Sequence, residues 1–452
     1  MIAPVRIFVV TYALALMTHT AIADEVRIAT FKVDATPAIG TPVAYAPVRE
    51  ILDPLSARGL VLLGADNPVV LCAVDWIGIA NDGYDAWRTK LAEAAGTTPD
   101  HVAVHTLHQH DGARCDFDTE RLLAERGLGG RHFDNGFLHK TIDAAAAAIR
   151  EALKHPTTVT HIGVGKARVE KVASNRRILG DDGKVQIVRW SKTTDPAAIA
   201  APEGTIDPYL RLISFWNDQT PIASLTYYTT HPQSYYGDGD VTSEFIGLGR
   251  AAREQSLPDV AHIHFNGASG NVTAGKYNDG SHEMRPILAS RIERGMQQAW
   301  EATAKHPITV ADVEWRVESV KLPAAAHLDE AKLTALLDDD KTPAATRLNA
   351  ASHLAWLKRN RSGMKIDTSC LRIGNVYVVH MPGELFVEYQ LAAQAMRPDD
   401  TVCMAAYGDY GPGYIGTEIA YGQGGYETSE RASRVAPQVE GVLTKALQTL
   451  LR

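Results

Sequence analysis

The sequence predicts an α/β protein with mixed sheets covered by helices, built as a single large domain. Three observations predict it. Strand-like and helix-like segments alternate along the chain. Several strand-like runs are apolar and β-branched throughout, the pattern of strands buried on both faces. No linker rich in Pro, Gly or Ser divides the chain, and no internal repeat is visible in the residues.

The elements follow in order. Val26 to Val33 alternates and runs into Thr36-Pro37, a strand and a turn. GLVLLG and VVLCAVDWIGI, between Gly59 and Ile79, are two strands joined by a hairpin turn at Ala65-Asp66-Asn67-Pro68. Tyr84 to Ala95 has Trp87 and Leu91 at helical spacing, and Gly96 stands just past its end. Val102 to Val104 is a short strand leading into a His-rich loop, and Phe137 to Leu153 is an Ala-rich helix stopped at His155-Pro156. Strands are predicted at His161–Val169, Val185–Trp190, Leu210–Trp216, Ile222–Thr229, Ala261–Phe265, Ala311–Leu322 and Ile366–His380. Helices are predicted at Arg250–Gln255, Met284–Ala304, Glu388–Met396 and Val435–Leu451. Residues 329–361 are charged and helical, and the DDDK stretch marks an exposed helical insertion.

The chain has 452 residues, 45 Lys plus Arg against 53 Asp plus Glu, and a net charge of −8. That acidic balance argues against a nucleic-acid partner, which needs a basic face. At 45% hydrophobic and 22% charged residues, the composition excludes disorder, collagen and coiled coil for the whole chain. The four cysteines are too few for a disulfide scaffold and lack C-x-x-C spacing, so a thiolate metal site is not expected. Pairing of Cys72, Cys115, Cys370 and Cys403 and four buried free thiols are both open.

Residues 1–23 carry Arg6, an apolar run from Ile7 to Met17, and Ala21-Ile22-Ala23. This order of charge, short apolar core and small-residue triplet predicts a signal peptide, with Asp24 starting the mature chain. No later stretch is long and apolar enough to span a bilayer. The expected product is exported, to the periplasm or the medium.

Six segments could carry chemistry. HVAVHTLHQHDG places His101, His105, His108 and His110 at a strand end, where open α/β sheets hold functional groups. In extended backbone His108 and His110 would face the same side and could share one metal. His231 follows a strand in TYYTTHPQS. HFNGASGNVTAG offers backbone N–H groups but lacks a nucleotide-loop pattern, and Gly267-Ala268-Ser269-Gly270-Asn271 fails the nucleophile-elbow pattern at its last position. Glu384 follows Pro-Gly after a strand and could complete a metal site or favour the next helix through its dipole. Residues 407–427 form a Gly- and Tyr-rich loop whose hydroxyls could serve an oxyanion. Asn175-Arg176-Arg177 is either an exposed pair or an anion clamp.

Taken together, these segments resemble the catalytic domain of neutral/alkaline ceramidases, the non-lysosomal zinc amidases. VDATPAIGTPVA is similar to the family's D-I-T-P opening, and HQHDG stands where the family has H-T-H-S-G-P. ASNRR is similar to its N-R-S segment, FNGASGNVT to S-N-x-G-D-V-S-P-N, and PGE matches directly. GYIGTEIAYGQGGYE resembles Y-V-T-T…Y-E-G, and keeps Tyr414 and Tyr426 twelve residues apart. The resemblance covers residues 24–452. It implies Zn²⁺ as cofactor, with His108, His231, Glu384 and Tyr414 as ligands. It also implies that His110, Arg176 and Tyr426 contact the scissile amide, and that Thr273 takes the place of an active-site Ser. The implied activity is hydrolysis of an N-acyl bond, ceramide-like, in a small-molecule or lipid substrate. Asp111, Ala113, Asn271 and Thr273 depart from the family's Ser, Pro, Asp and Ser. Those departures leave room for a zinc hydrolase of another amide or ester, or for a non-catalytic binding protein on the same fold.

Overall fold

The computed structural model describes residues 25–235 and 237–452. The expected signal peptide and its cleavage site lie outside the described residues. No helix among the described residues is long and apolar enough to cross a membrane.

Three sheets organise the molecule. The first contains β1 (Arg27–Asp34), β2 (Ser56–Leu63), β3 (Val69–Val74) and β4 (Val102–Thr106). The second contains β5 (His161–Arg168), β6 (Tyr209–Asn217), β7 (Thr220–Tyr228) and β8 (Ala261–Asn266). The third contains β9 (Val313–Val320), β10 (Ile366–Ile373), β11 (Val376–His380) and β12 (Thr401–Ala405). The helices used below are α1 (Asn81–Ala95), α2 (Phe117–Ala124), α3 (Asn135–Ala152), α4 (Glu244–Ser256), α5 (Met284–Glu301), α6 (Glu330–Asp338), α7 (Ala344–Arg361), α8 (Val387–Met396) and α9 (Val439–Leu450).

Each sheet follows one plan. Its first three strands are antiparallel neighbours, and its fourth is parallel to the third. A parallel neighbour cannot be reached by a tight turn, so a helix makes each crossover: α1, α4 and α8. The ββαβ order therefore occurs three times, although no repeat is legible in the residues. Topology needs only strand and helix periods in the same order, not similar side chains.

The inward faces of all three sheets share one apolar cluster, including Leu60, Leu71, Phe215, Leu225, Phe265, Val378 and Cys403. Helices cover the outward faces and bury two further clusters against them. β3 and β4 are buried along their whole length; β3 is apolar throughout, and β4 also buries the polar His105 and Thr106. The three parallel strands meet at their C-terminal ends in a closed ring of hydrogen bonds. Thr106 N donates to Tyr407 O at 3.0 Å and Ala406 N donates to Asn266 O at 3.0 Å. Asn266 Nδ2 closes the ring on Leu107 O at 3.3 Å. The loops carrying His108, His231, Ser269 to Thr273, Glu384 and Tyr407 to Tyr414 leave from this junction or from the strand beside it.

Several expected boundaries move for local reasons. The long helix expected to Ala304 stops at Glu301, and Ala304–Pro307 instead pairs with β5. The last helix starts at Val439, because Val435 bridges to Ala324 and Pro437 follows. The segment from Ile366 to His380 is a hairpin turning at Gly374, which has φ 60°. Helix α2 was not expected; the Asp116 carboxylate accepts from Thr119 N and starts it. Residues 329–361 are largely helical, and the exposed stretch runs from Asp338 through the start of α7 at Thr346. Helix α7 buries Leu354, Trp356 and Leu357 in the same core as α1 and α3, so it is no surface appendage. All four cysteines are buried free thiols.

Candidate active site

Five loops bring the functional side chains together, each leaving the C-terminal end of a central strand. That is where open α/β sheets place ligands. His108 and His110 follow β4, and His231 follows β7. Ser269 to Thr273 follow β8, Glu384 follows β11, and Tyr407 to Tyr414 follow β12.

His108 is not in extended backbone. Its φ is 62°, a left-handed conformation uncommon outside Gly, and its N–H donates to Trp76 O at 3.0 Å. Tyr407 has the same φ, and its ring stacks on His108 with centroids 4.5 Å apart. Strained backbone of this kind persists only where packing over-determines it. The His108 and His110 rings meet edge to face at 4.8 Å because of this turn, rather than by strand alternation.

His108 and His231 are locked from behind. His108 Nδ1 lies 2.7 Å from Ile77 O, and His231 Nδ1 lies 2.7 Å from Ser269 O. A carbonyl oxygen only accepts, so both Nδ1 atoms carry a proton, and in the neutral rings both Nε2 atoms present a lone pair. Each Nε2 then stands 3.1 Å from the same oxygen, Glu384 Oε2. The ligand atoms of His108, His110 and His231 lie within 4.8 Å of one another. Three electron-rich atoms facing one another in a buried site repel unless a cation lies among them. This donor set, two imidazoles and a carboxylate with a third imidazole beside them, fits Zn²⁺. The carbonyls behind the rings are the outer hydrogen bonds that orient such ligands.

Glu384 and Tyr414 are neighbours in a short parallel pairing of Glu384–Leu385 with Tyr414–Ile415. Tyr414 OH is 3.3 Å from His231 Nε2, and Tyr410 OH donates to Glu384 Oε1. Burial pushes Glu384 up, but His108 and His231 outweigh it and hold the carboxyl well below its usual range. Burial, then the charge of Glu384, pushes the Tyr414 hydroxyl well above its usual value. Burial above all holds His110 well below the usual imidazole value.

Arg176 is fully enclosed. Its Nη1 donates to Tyr414 OH at 3.0 Å, and its Nε lies 3.0 Å from Glu427 Oε1. Burial alone would lower its pKa; Tyr414 and Glu427 more than offset that, so the guanidinium stays charged. Arg177 reaches the other oxygen of Glu427 at 3.2 Å. The Arg pair thus clamps a carboxylate of its own chain, with Arg176 between that clamp and the site. Tyr426 packs edge to face on Tyr414, with centroids 5.8 Å apart, and Arg176 lies over its ring.

Thr273 pairs with Ser174 and bridges to His231, so it lies in the same wall; its Oγ1 is buried without a hydrogen-bond partner. Ser269 Oγ is held by Tyr407 OH at 2.7 Å and by Asn266 Nδ2 at 3.2 Å, an orienting role rather than a nucleophile's. Gly270 passes so close to Glu384 that a Cβ would stand 2.3 Å from its carbonyl oxygen. The Gly-rich loop is therefore rich in Gly for packing. Asn271, not Glu384, caps α8: its Oδ1 accepts from Val387 N at 2.9 Å.

The eight residues assigned by the resemblance, His108, His110, Arg176, His231, Thr273, Glu384, Tyr414 and Tyr426, stand around this one centre; of the other two histidines in the His-rich segment, His101 stacks on Trp315 and His105 lies against His380 instead. Sequence reasoning missed Tyr45, whose hydroxyl is 2.6 Å from His110 Nδ1, together with Tyr410 and Glu427. Glu427 had a signal, since two adjacent arginines need a counter-charge. Tyr45 had none, being far away in sequence.

No protein-family model matches the sequence, and no curated protein matches it. Solved structures do. Neutral ceramidase from Pseudomonas aeruginosa superposes with a TM-score of 0.68 at 14% identity, over 94% of this chain and 74% of that one. A ceramidase complexed with C2 superposes with a TM-score of 0.67 at 14% identity, over 94% and 75%.

This chain has the neutral ceramidase fold.

At this identity the fold persists because burial pattern and element order persist while most side chains differ.

Proposed function

We propose that this ceramidase-fold protein is an exported zinc-dependent hydrolase, an amidase cleaving an N-acyl bond in a small-molecule or lipid substrate of the ceramide kind. The observation that carries the reading is the meeting of two tautomer-locked imidazoles at a single carboxylate oxygen, 3.1 Å from each. His108, His231 and Glu384 would hold the metal, with Tyr414 beside them. Bound zinc supplies a water whose pKa is lowered to about 7.

The chain's own residues do the rest. His110, kept neutral by burial, is placed to take a proton and return it to the departing amine. Arg176 holds a fixed positive charge on the Tyr414 side, where the amide oxygen turns negative. Tyr426 and Thr273 bound the place where the scissile group must lie. The burial of these groups strengthens each interaction by keeping water away.

The test is direct. His231→Ala should abolish hydrolysis of N-acyl substrates and remove one equivalent of zinc. Full activity in that variant overturns the reading, and metal-dependent turnover in the parent excludes a binding protein without activity. A second reading, a zinc hydrolase of a smaller and more polar amide or ester, is favoured by Asp111. This carboxyl follows His110 directly, and burial, then Glu244, pushes it up to about 7. Efficient cleavage of long-chain ceramide over short N-acyl amino compounds rejects that alternative.

A further inference from the structure

An aromatic wall runs outward from the candidate active site and ends on an exposed ring. His231 stacks on Tyr414 with centroids 6.2 Å apart, Tyr414 meets Tyr426 edge to face at 5.8 Å, and Tyr426 meets Trp190 edge to face at 5.3 Å. Exposure rises along that line: His231 is 1% exposed, Tyr414 7%, Tyr426 is half-buried, and Trp190 is 42% exposed. Trp190 is the one exposed tryptophan among the described residues.

The exposed ring is fixed from below. Arg189 N donates to Arg176 O at 2.7 Å, and the buried Arg189 guanidinium donates to the carbonyls of Asn175, Ala198, Ala201 and Pro202. Gly275 passes so close that a Cβ would stand 1.9 Å from Trp190 O. The ring itself rests on Tyr426 and beside the Arg176 guanidinium, 5.4 Å from its centroid. A large apolar face held open to water on rigid backbone is a preformed contact surface that costs little entropy to use. The charge beside it is already taken by Tyr414 and Glu427, so the face suits an apolar group rather than an anion.

The direction of the wall decides which part of a substrate reaches it. In the proposed reaction the departing amine lies toward His110, where Tyr45 stands. Tyr414, Tyr426 and Trp190 line the other side, toward which the acyl group extends from the scissile carbon. Two ring spacings, of 5.8 and 5.3 Å, separate Tyr414 from Trp190, more than an acetyl group can span. We propose that Trp190 is a specificity-determining residue that receives the distal methylenes of a long acyl chain, so that this wall reads the acyl end of the substrate and not its amine end. The assignment rests on the N-acyl hydrolase reading above.

The test separates the two ends of the substrate. N-dodecanoyl-ethanolamine, N-acetyl-ethanolamine and N-acetyl-dodecylamine carry a long chain at the acyl end, at neither end and at the amine end. Trp190→Ala should lower kcat/KM for the first about tenfold, through KM, and leave kcat and both acetyl substrates unchanged. Trp190→Leu, which keeps apolar area, should restore most of that loss. An equal change on all three substrates, or a loss confined to N-acetyl-dodecylamine, overturns the proposal. Laurate, the acyl product of the first substrate, gives a check that needs no turnover: its dissociation constant should rise about tenfold in Trp190→Ala. If none of the three amides is cleaved, the hydrolase reading falls and laurate still decides: equal affinity in parent and variant overturns the assignment of Trp190.

Discussion

Residue-level chemistry centres on buried groups that hold other groups. Glu427 is the counter-charge of two buried arginines, and removing one partner of a buried pair leaves an uncompensated charge. Glu427→Ala should therefore lower stability by about 3–5 kcal/mol. It should also reduce kcat more than it raises KM, because Arg176 loses its anchor; denaturant titration and steady-state kinetics check the two parts. Unchanged kcat in a folded variant would show that Arg176 needs no such anchor. Tyr45 acts on the opposite wall. Its hydroxyl bonds His110 Nδ1, so Tyr45→Phe should lower kcat by up to about tenfold, the worth of one hydrogen bond. Metal content should stay at the parent value, and a loss of metal would assign Tyr45 a different role. The eight candidate residues were legible because each stands in a short polar motif at a strand end. Tyr45 and Tyr410 were not, because their partners are supplied only by folding.

Among the elements, the decisive contacts lie where helix meets sheet. Strand β5 was expected from its alternation, yet nothing in its sequence says why Gly163 and Gly165 stand two apart. The structure answers for Gly165: a Cβ there would come 1.9 Å from Ala299 O in α5. Helix α5 lies against the strand at backbone distance. Gly165→Ala should cost about 1–3 kcal/mol as overpacking, read as a fall in the denaturant midpoint at constant slope. A neutral result would mean that α5 can shift outward. The displaced boundaries of α5, α9 and the 366–380 hairpin have a common origin. Edge pairing and bridges to distant residues override local propensity at element ends.

The whole molecule has an acid sensitivity built into its core. Burial lowers His262 to about 4, and His264 and His353 to about 3, from the model-peptide range. Each is neutral in both folded and unfolded chains above pH about 6.5, so none changes stability there. As pH falls below that value, the unfolded chain binds protons that the folded chain refuses, and stability drops until the folded pKa values are reached. The denaturant midpoint should therefore fall steadily from pH 6.5 towards pH 4. A midpoint that stays flat down to pH 5 would contradict this.

What the sequence by itself determined is the kind of protein: an α/β chain of mixed sheets, its element order, and the residue types at its strand ends. These follow from periodicity, turn chemistry and burial, which are local properties of the chain. Tertiary structure decided the threefold recurrence of ββαβ and the ring joining Thr106, Asn266 and Ala406. It also decided the left-handed turn at His108 and the convergence of two imidazoles on Glu384. Those features depend on which distant strands become neighbours. That is settled by burying three inward sheet faces at once, which no window along the chain contains.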